Sequence, residues 1–179
     1  MGKTVSKTTE SLSLRKKRTV LMLGLDGTGK TTMLYNLRGG SDVATSCFGF
    51  HPETLQLKQM KLLSWNLEGS DDIRSAWKQY YPGAQGIIFV IDACDKEKIP
   101  IAVQELTSLL EVGELKSIPL LVLANKRDLE GSLDPATLVD LLDLTKIMTR
   151  HWNLQATCAI DMKGVDEGLQ WLTEAMERK

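Results

Sequence analysis

The chain has no apolar run approaching the length of about 18 residues that crosses a bilayer, and no secretory apolar stretch opens it. Cysteine is scarce: Cys47, Cys94 and Cys158 are scattered, odd in number and without CxxC spacing. That arrangement fits free thiols in a reducing compartment rather than a disulfide framework. Net charge is also lacking; at −1 it gives no global pull toward nucleic acid, so any basic interaction must be local. Internal repeats and a second domain are absent too. What remains is 179 residues of ordinary composition, 42% hydrophobic and 25% charged, enough for one cytosolic domain with its own core.

The first 18 residues are polar and end in the basic cluster Arg15-Lys16-Lys17-Arg18, which reads as a mobile arm before a domain over 19–179. Val20-Leu21-Met22-Leu23, bounded by Gly24, is too short for a helix and predicts a buried strand. A helix is expected from Lys30 to about Arg38, ended by Gly39-Gly40. Glu53 to Gln59 and Lys61 to Trp65 read as a hairpin, and Ile87 to Ile91 and Leu120 to Ala124 as further strands. Amphipathic helices are marked by Ile101, Leu106, Leu109 and Leu110, then by Leu138, Leu141 and Leu142 behind Pro135, and finally by Val165, Leu169, Leu172 and Met176. Strands alternating with helices imply right-handed crossovers and a mainly parallel sheet covered on both faces.

Gly24-Leu25-Asp26-Gly27-Thr28-Gly29-Lys30-Thr31 matches GxxxxGK[ST] between a strand and a helix, followed by Thr32. Its glycines let backbone N–H groups curl around phosphate oxygens, and the helix N-terminus adds its positive dipole. Lys30 would bridge the β and γ phosphates, and the Thr31 hydroxyl would ligate Mg²⁺. The alternative, a glycine-rich turn with a chance lysine, is opposed by the flanking strand and helix.

Asn125-Lys126-Arg127-Asp128 follows the apolar strand ending at Ala124, at the edge where α/β sheets bind ligands. A carboxylate at Asp128 can accept from guanine N1–H and the exocyclic amine, which adenine cannot offer. Lys126 can lie over the base, while Asn125 ties the loop to the phosphate-binding segment. Alone, NKxD is a short polar turn; together with the phosphate loop it selects guanine and disfavours P-loop kinases of small metabolites. Farther on, Ala156-Thr157-Cys158-Ala159 ends another strand, and the Ala159 N–H is a candidate donor to guanine O6.

From about Thr19 to its end the chain resembles the Arf and Arf-like small GTPases of the Ras superfamily. The resemblance rests on the phosphate loop with Asp26 after Leu25, Ile73 to Tyr80, Gln85 to Asp92, Gln155 to Ala159, and Glu167 to Leu172. It implies a Ras-like P-loop α/β domain: a six-stranded mixed sheet, one edge strand antiparallel, with helices on both faces. It further implies binding of GTP and GDP with Mg²⁺, action in membrane traffic or signalling, and effector and regulator proteins at the switch surface. A hydrophobic effector triad falls on Phe50, Trp65 and Tyr80; core packing is the alternative for each aromatic taken singly.

Departures from the family pattern fall on the chemistry. Where members read W-D-x-G-G-Q, this chain has Trp65-Asn66-Leu67-Glu68-Gly69-Ser70. Asn66 removes a carboxylate that helps hold Mg²⁺, and Ser70 is too short to orient the attacking water as the family glutamine does. Cys47 stands where a threonine hydroxyl ligates Mg²⁺, and a neutral thiol is a poor ligand for that hard cation. Glu68 replaces a glycine beside the γ-phosphate site, where two unit charges about 5 Å apart repel by roughly 3 kcal/mol at an effective dielectric near 20. Swinging outward, or pairing with Lys30, would relieve it. Gly69, whose N–H would touch the γ-phosphate, is retained.

These substitutions predict persistent nucleotide binding with weak or absent hydrolysis. Two alternatives stay open: a competent GTPase cycling between GDP and GTP states, and a nucleotide-locked scaffold that binds partners through the triad.

Met1-Gly2-Lys3-Thr4-Val5-Ser6 matches the signal for myristoylation of Gly2. One acyl chain binds membranes only marginally, and Arg15 to Arg18 would supply a second, electrostatic signal. The arm offers only Val5, Leu12 and Leu14 as bulky apolar residues, so reversible peripheral association of a cytoplasmic monomer with a cytosolic membrane face is expected.

Overall fold

A computed structural model describes residues 17–40, 52–57, 60–65, 67 and 77–178. Six strands form one sheet: β1 (Arg18–Leu23), β2 (Glu53–Gln56), β3 (Met60–Ser64), β4 (Gly86–Asp92), β5 (Leu120–Asn125) and β6 (Trp152–Ala156). Among the described residues there are four α-helices: α1 (Lys30–Leu37), α2 (Ile99–Leu110), α3 (Pro135–Leu141) and α4 (Val165–Glu177). The sheet order is β2-β3-β1-β4-β5-β6. Only the β2–β3 pair is antiparallel; every other neighbouring pair is parallel. The six-stranded mixed sheet with an antiparallel edge expected from the sequence is therefore present.

The continuous apolar runs become the central strands because helices cover both sheet faces, so no side of these strands meets water. Alternate side chains of β1, β4 and β5 go to two separate cores. Leu21, Ile87, Phe89, Leu120 and Val122 pack with α2 residues Ala102, Leu106 and Leu109. Val20, Met22, Ile88, Val90, Leu121 and Leu123 pack with Met33 and Leu34 of α1 and with Leu169 and Leu172 of α4. Each fully buried Leu, Ile or Phe contributes about 1.5–3 kcal/mol by leaving water, which anchors β4 and β5 firmly, while β6 is half-buried.

Several sequence expectations shift. Arg18, assigned to the arm, opens β1, where it pairs with Met60. β2 stops at Gln56, because Leu57 N–H donates to Met60 O and turns the chain. Trp65 lies beyond β3, although its N–H still reaches Met22 O. Ile101 and Leu141, read as core markers, are exposed. Helical geometry instead buries Ile99, Ala102, Leu106 and Leu109 in α2 and Leu138 in α3. Pro135 occupies the first turn of α3 as expected, and Asp134 caps that helix by accepting the Thr137 N–H at 3.0 Å. All four apolar markers of α4 are buried.

Candidate functional site

Because β1, β4, β5 and β6 run parallel, the loops that leave their carboxyl ends gather at one edge of the sheet. These are the segment 24–29 after β1, 93–95 after β4, 126–128 after β5 and 157–159 after β6. The phosphate and base-reading motifs, remote in sequence, thus face a common space.

The phosphate loop curls tightly enough to demand glycine at two points. A Cβ on Gly24 would stand 2.3 Å from Val90 O, and one on Gly29, at φ +96°, would stand 2.3 Å from Asn125 Nδ2. Thr28 is buried, its hydroxyl donating to Leu25 O at 3.0 Å. The Lys30 ammonium lies inside the curl and donates to Gly24 O, Leu25 O and Thr28 Oγ1 at 2.8, 2.7 and 3.2 Å. Asp26 and Gly27 form the exposed tip, which Lys98 reaches through Asp26 O at 3.3 Å. Thr31 and Thr32 are exposed on the first turn of α1. No side chain caps that helix and no acidic residue lies in its first turn, so its positive end is left for an anion. The cradle, the bare helix end and the enclosed ammonium together fit a phosphate chain.

Asn125 is the knot of the base-reading side. It is 1% exposed and its amide is used at both ends. Nδ2 donates to Thr28 O at 2.8 Å, while Oδ1 accepts from Ala159 N–H at 2.9 Å and from the Thr157 hydroxyl at 3.4 Å. The sequence reading of Asn125 as the tie to the phosphate loop holds. The Ala159 N–H, the candidate donor to guanine O6, donates to Asn125, and the Cys158 N–H donates to Lys163 O at 3.0 Å. Asp128 is exposed. Lys126, at φ +66°, pairs through its ammonium with Asp92 Oδ2 at 2.6 Å.

Two cysteines stand beside these loops, and neither is set up as a thiolate. Burial, then the Asp92 carboxylate, pushes the Cys94 thiol up; burial does the same to Cys158. Among the described residues no cluster of His, Cys, Asp or Glu is arranged to hold a metal ion. The hydroxyl-bearing side chains exposed at the start of α1 are Thr31 and Thr32.

Of the aromatic triad, Trp65 is 6% exposed and packs against Trp77 and Tyr80, with ring centroids 5.8 and 5.7 Å apart. The core alternative therefore applies to Trp65, while Tyr80 is half-buried. Gly2, Arg15, Lys16, Cys47, Phe50, Asn66, Glu68, Gly69 and Ser70 lie outside the described residues. The other two cations of the basic cluster are engaged within the domain. Lys17 donates to Gln56 Oε1 at 3.0 Å, and Arg18 donates to Thr173 O at 3.2 Å and pairs with Glu177 at 3.4 Å. Among the described residues no helix is long and apolar enough to cross a membrane.

The sequence reading missed Asn36, whose amide donates to Ala159 O at 2.7 Å and Ile160 O at 3.2 Å, fastening α1 to the loop after β6. It also gave no role to Asp92 or Cys94. No local pattern announces such contacts, which join distant segments.

The model of the ADP-ribosylation factor family matches residues 5–176. ADP-ribosylation factor 3 of Arabidopsis thaliana is 40% identical over 178 residues, covering 99% of this chain and 98% of that relative.

Proposed function

The chain belongs to the ADP-ribosylation factor family, and from that premise we propose a guanine-nucleotide-binding regulator of membrane traffic that holds the diphosphate firmly and hydrolyses GTP very slowly. The observation that carries this reading is the buried Asn125 amide, which binds the phosphate loop through Thr28 O and the loop after β6 through Ala159 N–H. Base site and phosphate site are thereby one unit, preset to a nucleotide.

In this reading Gly24, Asp26, Gly27, Thr28, Gly29, Lys30, Thr31 and Thr32 cradle the phosphates. Lys30 exchanges the carbonyls it now holds for phosphate oxygens, a stronger, charge-assisted pairing. Asp128 reads the guanine edge and Lys126 covers the ring. Selection against adenine rests chiefly on Asp128, with the Cys158–Ala159 segment, whose Ala159 N–H donates to Asn125 Oδ1, the second candidate at guanine O6. Thr31 supplies the one protein hydroxyl to Mg²⁺, whose usual helpers are replaced by Asn66 and Cys47. Slow hydrolysis follows from the chemistry of the residue types: Ser70 lacks the reach of glutamine, and Glu68 sets negative charge against the γ-phosphate, with only the Gly69 N–H retained there.

Single-turnover hydrolysis by the unaltered chain tests this. Rates far below those of Ser70→Gln are expected; family-typical turnover without a helper protein contradicts the proposal and favours the competent, cycling GTPase.

Membrane attachment in this reading is peripheral and reversible, at a cytosolic face, through acylated Gly2 and the basic cluster. Because Lys17 and Arg18 have partners within the domain, the electrostatic share falls chiefly on Arg15 and Lys16. Acylated protein should partition to anionic liposomes several-fold better than Gly2→Ala; equal partitioning would sink this part. In this reading effector and regulator proteins bind through Phe50, Trp65 and Tyr80, and the packing of Trp65 against Tyr80 supports the pairing of the last two.

A further inference from the structure

The short turn that follows β4 touches the base-reading loop at three points. Ala93 N–H donates to Asn125 O at 3.0 Å. The Cys94 thiol donates to Lys126 O at 3.4 Å. The Asp92 carboxylate takes the Lys126 ammonium at 2.6 Å on Oδ2 and, on Oδ1, the Cys94 N–H at 2.9 Å. The strand register sets Asp92 directly beside Asn125, so this turn and that loop leave the sheet together.

Lys126 needs such support. At φ +66° it occupies the left-handed region, which costs a residue with a Cβ about 1 kcal/mol or more unless its surroundings hold it there. Its carbonyl is held from two sides, by Cys94 Sγ and by the Leu129 N–H at 3.1 Å. Its side chain has four rotatable carbons, and a free lysine samples many rotamers. One carboxylate, largely shielded from solvent at 14% side-chain exposure, removes most of that freedom.

We propose that the Asp92-Ala93-Cys94 turn is the positioning element of the base-reading loop, with Asp92 acting through Lys126 to fix the lysine at the purine site before nucleotide arrives. The inference rests on the reading of this edge as a guanine-nucleotide site. Asp92 touches no nucleotide in this account; it contributes by lowering the entropy that Lys126 loses on binding.

The test is a double-mutant cycle on the full-length chain, reading the dissociation rate of a fluorescent GDP. Asp92→Asn keeps an oxygen for the Cys94 N–H but turns the Lys126 partner neutral. It should speed GDP release by up to about tenfold, the scale of having to immobilise one long side chain on binding. Lys126→Gln should speed release at least as much, and adding Asp92→Asn to it should change nothing further. Urea unfolding of each variant without nucleotide gives the structural control. Release from Asp92→Asn at the unaltered rate, or effects of the two changes that multiply, would overturn the proposal while leaving the nucleotide site intact. Failure of the unaltered chain to bind GDP at all would overturn both.

Discussion

Asn125 donates its side-chain amide to Thr28 O at 2.8 Å, joining the end of β5 to the phosphate loop across the sheet edge. Both groups are buried, so neither can turn to water if the other is lost. Asn125→Ala would leave Thr28 O and the Ala159 N–H without their partner. An unsatisfied buried group costs about 1–3 kcal/mol, and a loss of about 2–4 kcal/mol in unfolding free energy is expected, together with much faster GDP release. Chemical unfolding and a nucleotide-release assay on the same protein check both. Unchanged release in a destabilised variant would mean the tie is structural only.

Gly29 stands against the same amide. In Gly29→Ala the new Cβ would meet Asn125 Nδ2 at 2.3 Å, from a backbone at φ +96°. Either the loop opens or the Asn125 tie breaks, so a loss of at least about 2 kcal/mol is expected. The amide proton of Ala159 should then exchange faster with solvent, since its acceptor is the amide that is displaced. Unaltered protection there would contradict the account.

Glu53 gives the domain a pH dependence. It is 7% exposed, and burial raises its carboxyl above 4.5 despite Arg38 at 3.5 Å, which lowers it. The fold therefore favours the neutral acid. Stability attributable to this group is greatest below 4.5 and falls as pH rises from there through the raised native value. Glu53→Gln removes that loss, so its stability relative to the unaltered chain should increase across the window and level off above it. Urea unfolding at a series of pH values checks this; a gap that is flat or shrinks with pH contradicts it.

The central strands, the phosphate loop and the base-reading loop were legible in the sequence because each is a contiguous pattern with a backbone reason. A run of buried β residues needs no partner to be recognised, and Gly24 and Gly29 mark a curl that only glycine permits. What the sequence hid depends on side chains meeting across the fold. Asn36 reaches Ala159 over a separation of 123 residues, and Asp92 finds Lys126 only because β4 and β5 are neighbours in the sheet. The bond from the Ala159 N–H to the Asn125 amide was hidden for the same reason, since it joins positions 34 residues apart. Ile101 and Leu141 misled because an apolar residue on the outer face of a helix looks, in sequence, like one on the inner face.

Glu68 is the substitution whose removal should act most strongly on nucleotide choice. Repulsion of roughly 3 kcal/mol corresponds to about a hundredfold in affinity. Glu68→Gly should therefore raise the ratio of GTP-analogue to GDP affinity by about that factor. No change in the ratio would mean that the carboxylate turns away from the γ-phosphate or pairs with a cation.

The most direct measurement is equilibrium binding of GDP, ADP and a non-hydrolysable GTP analogue to the full-length chain, with Mg²⁺ and with chelator. Tight GDP binding without competition from ADP is expected, with weaker binding of the GTP analogue and little dependence on Mg²⁺. Binding of ADP as strong as GDP, or of the analogue as tight as GDP with a steep Mg²⁺ requirement, would contradict this expectation.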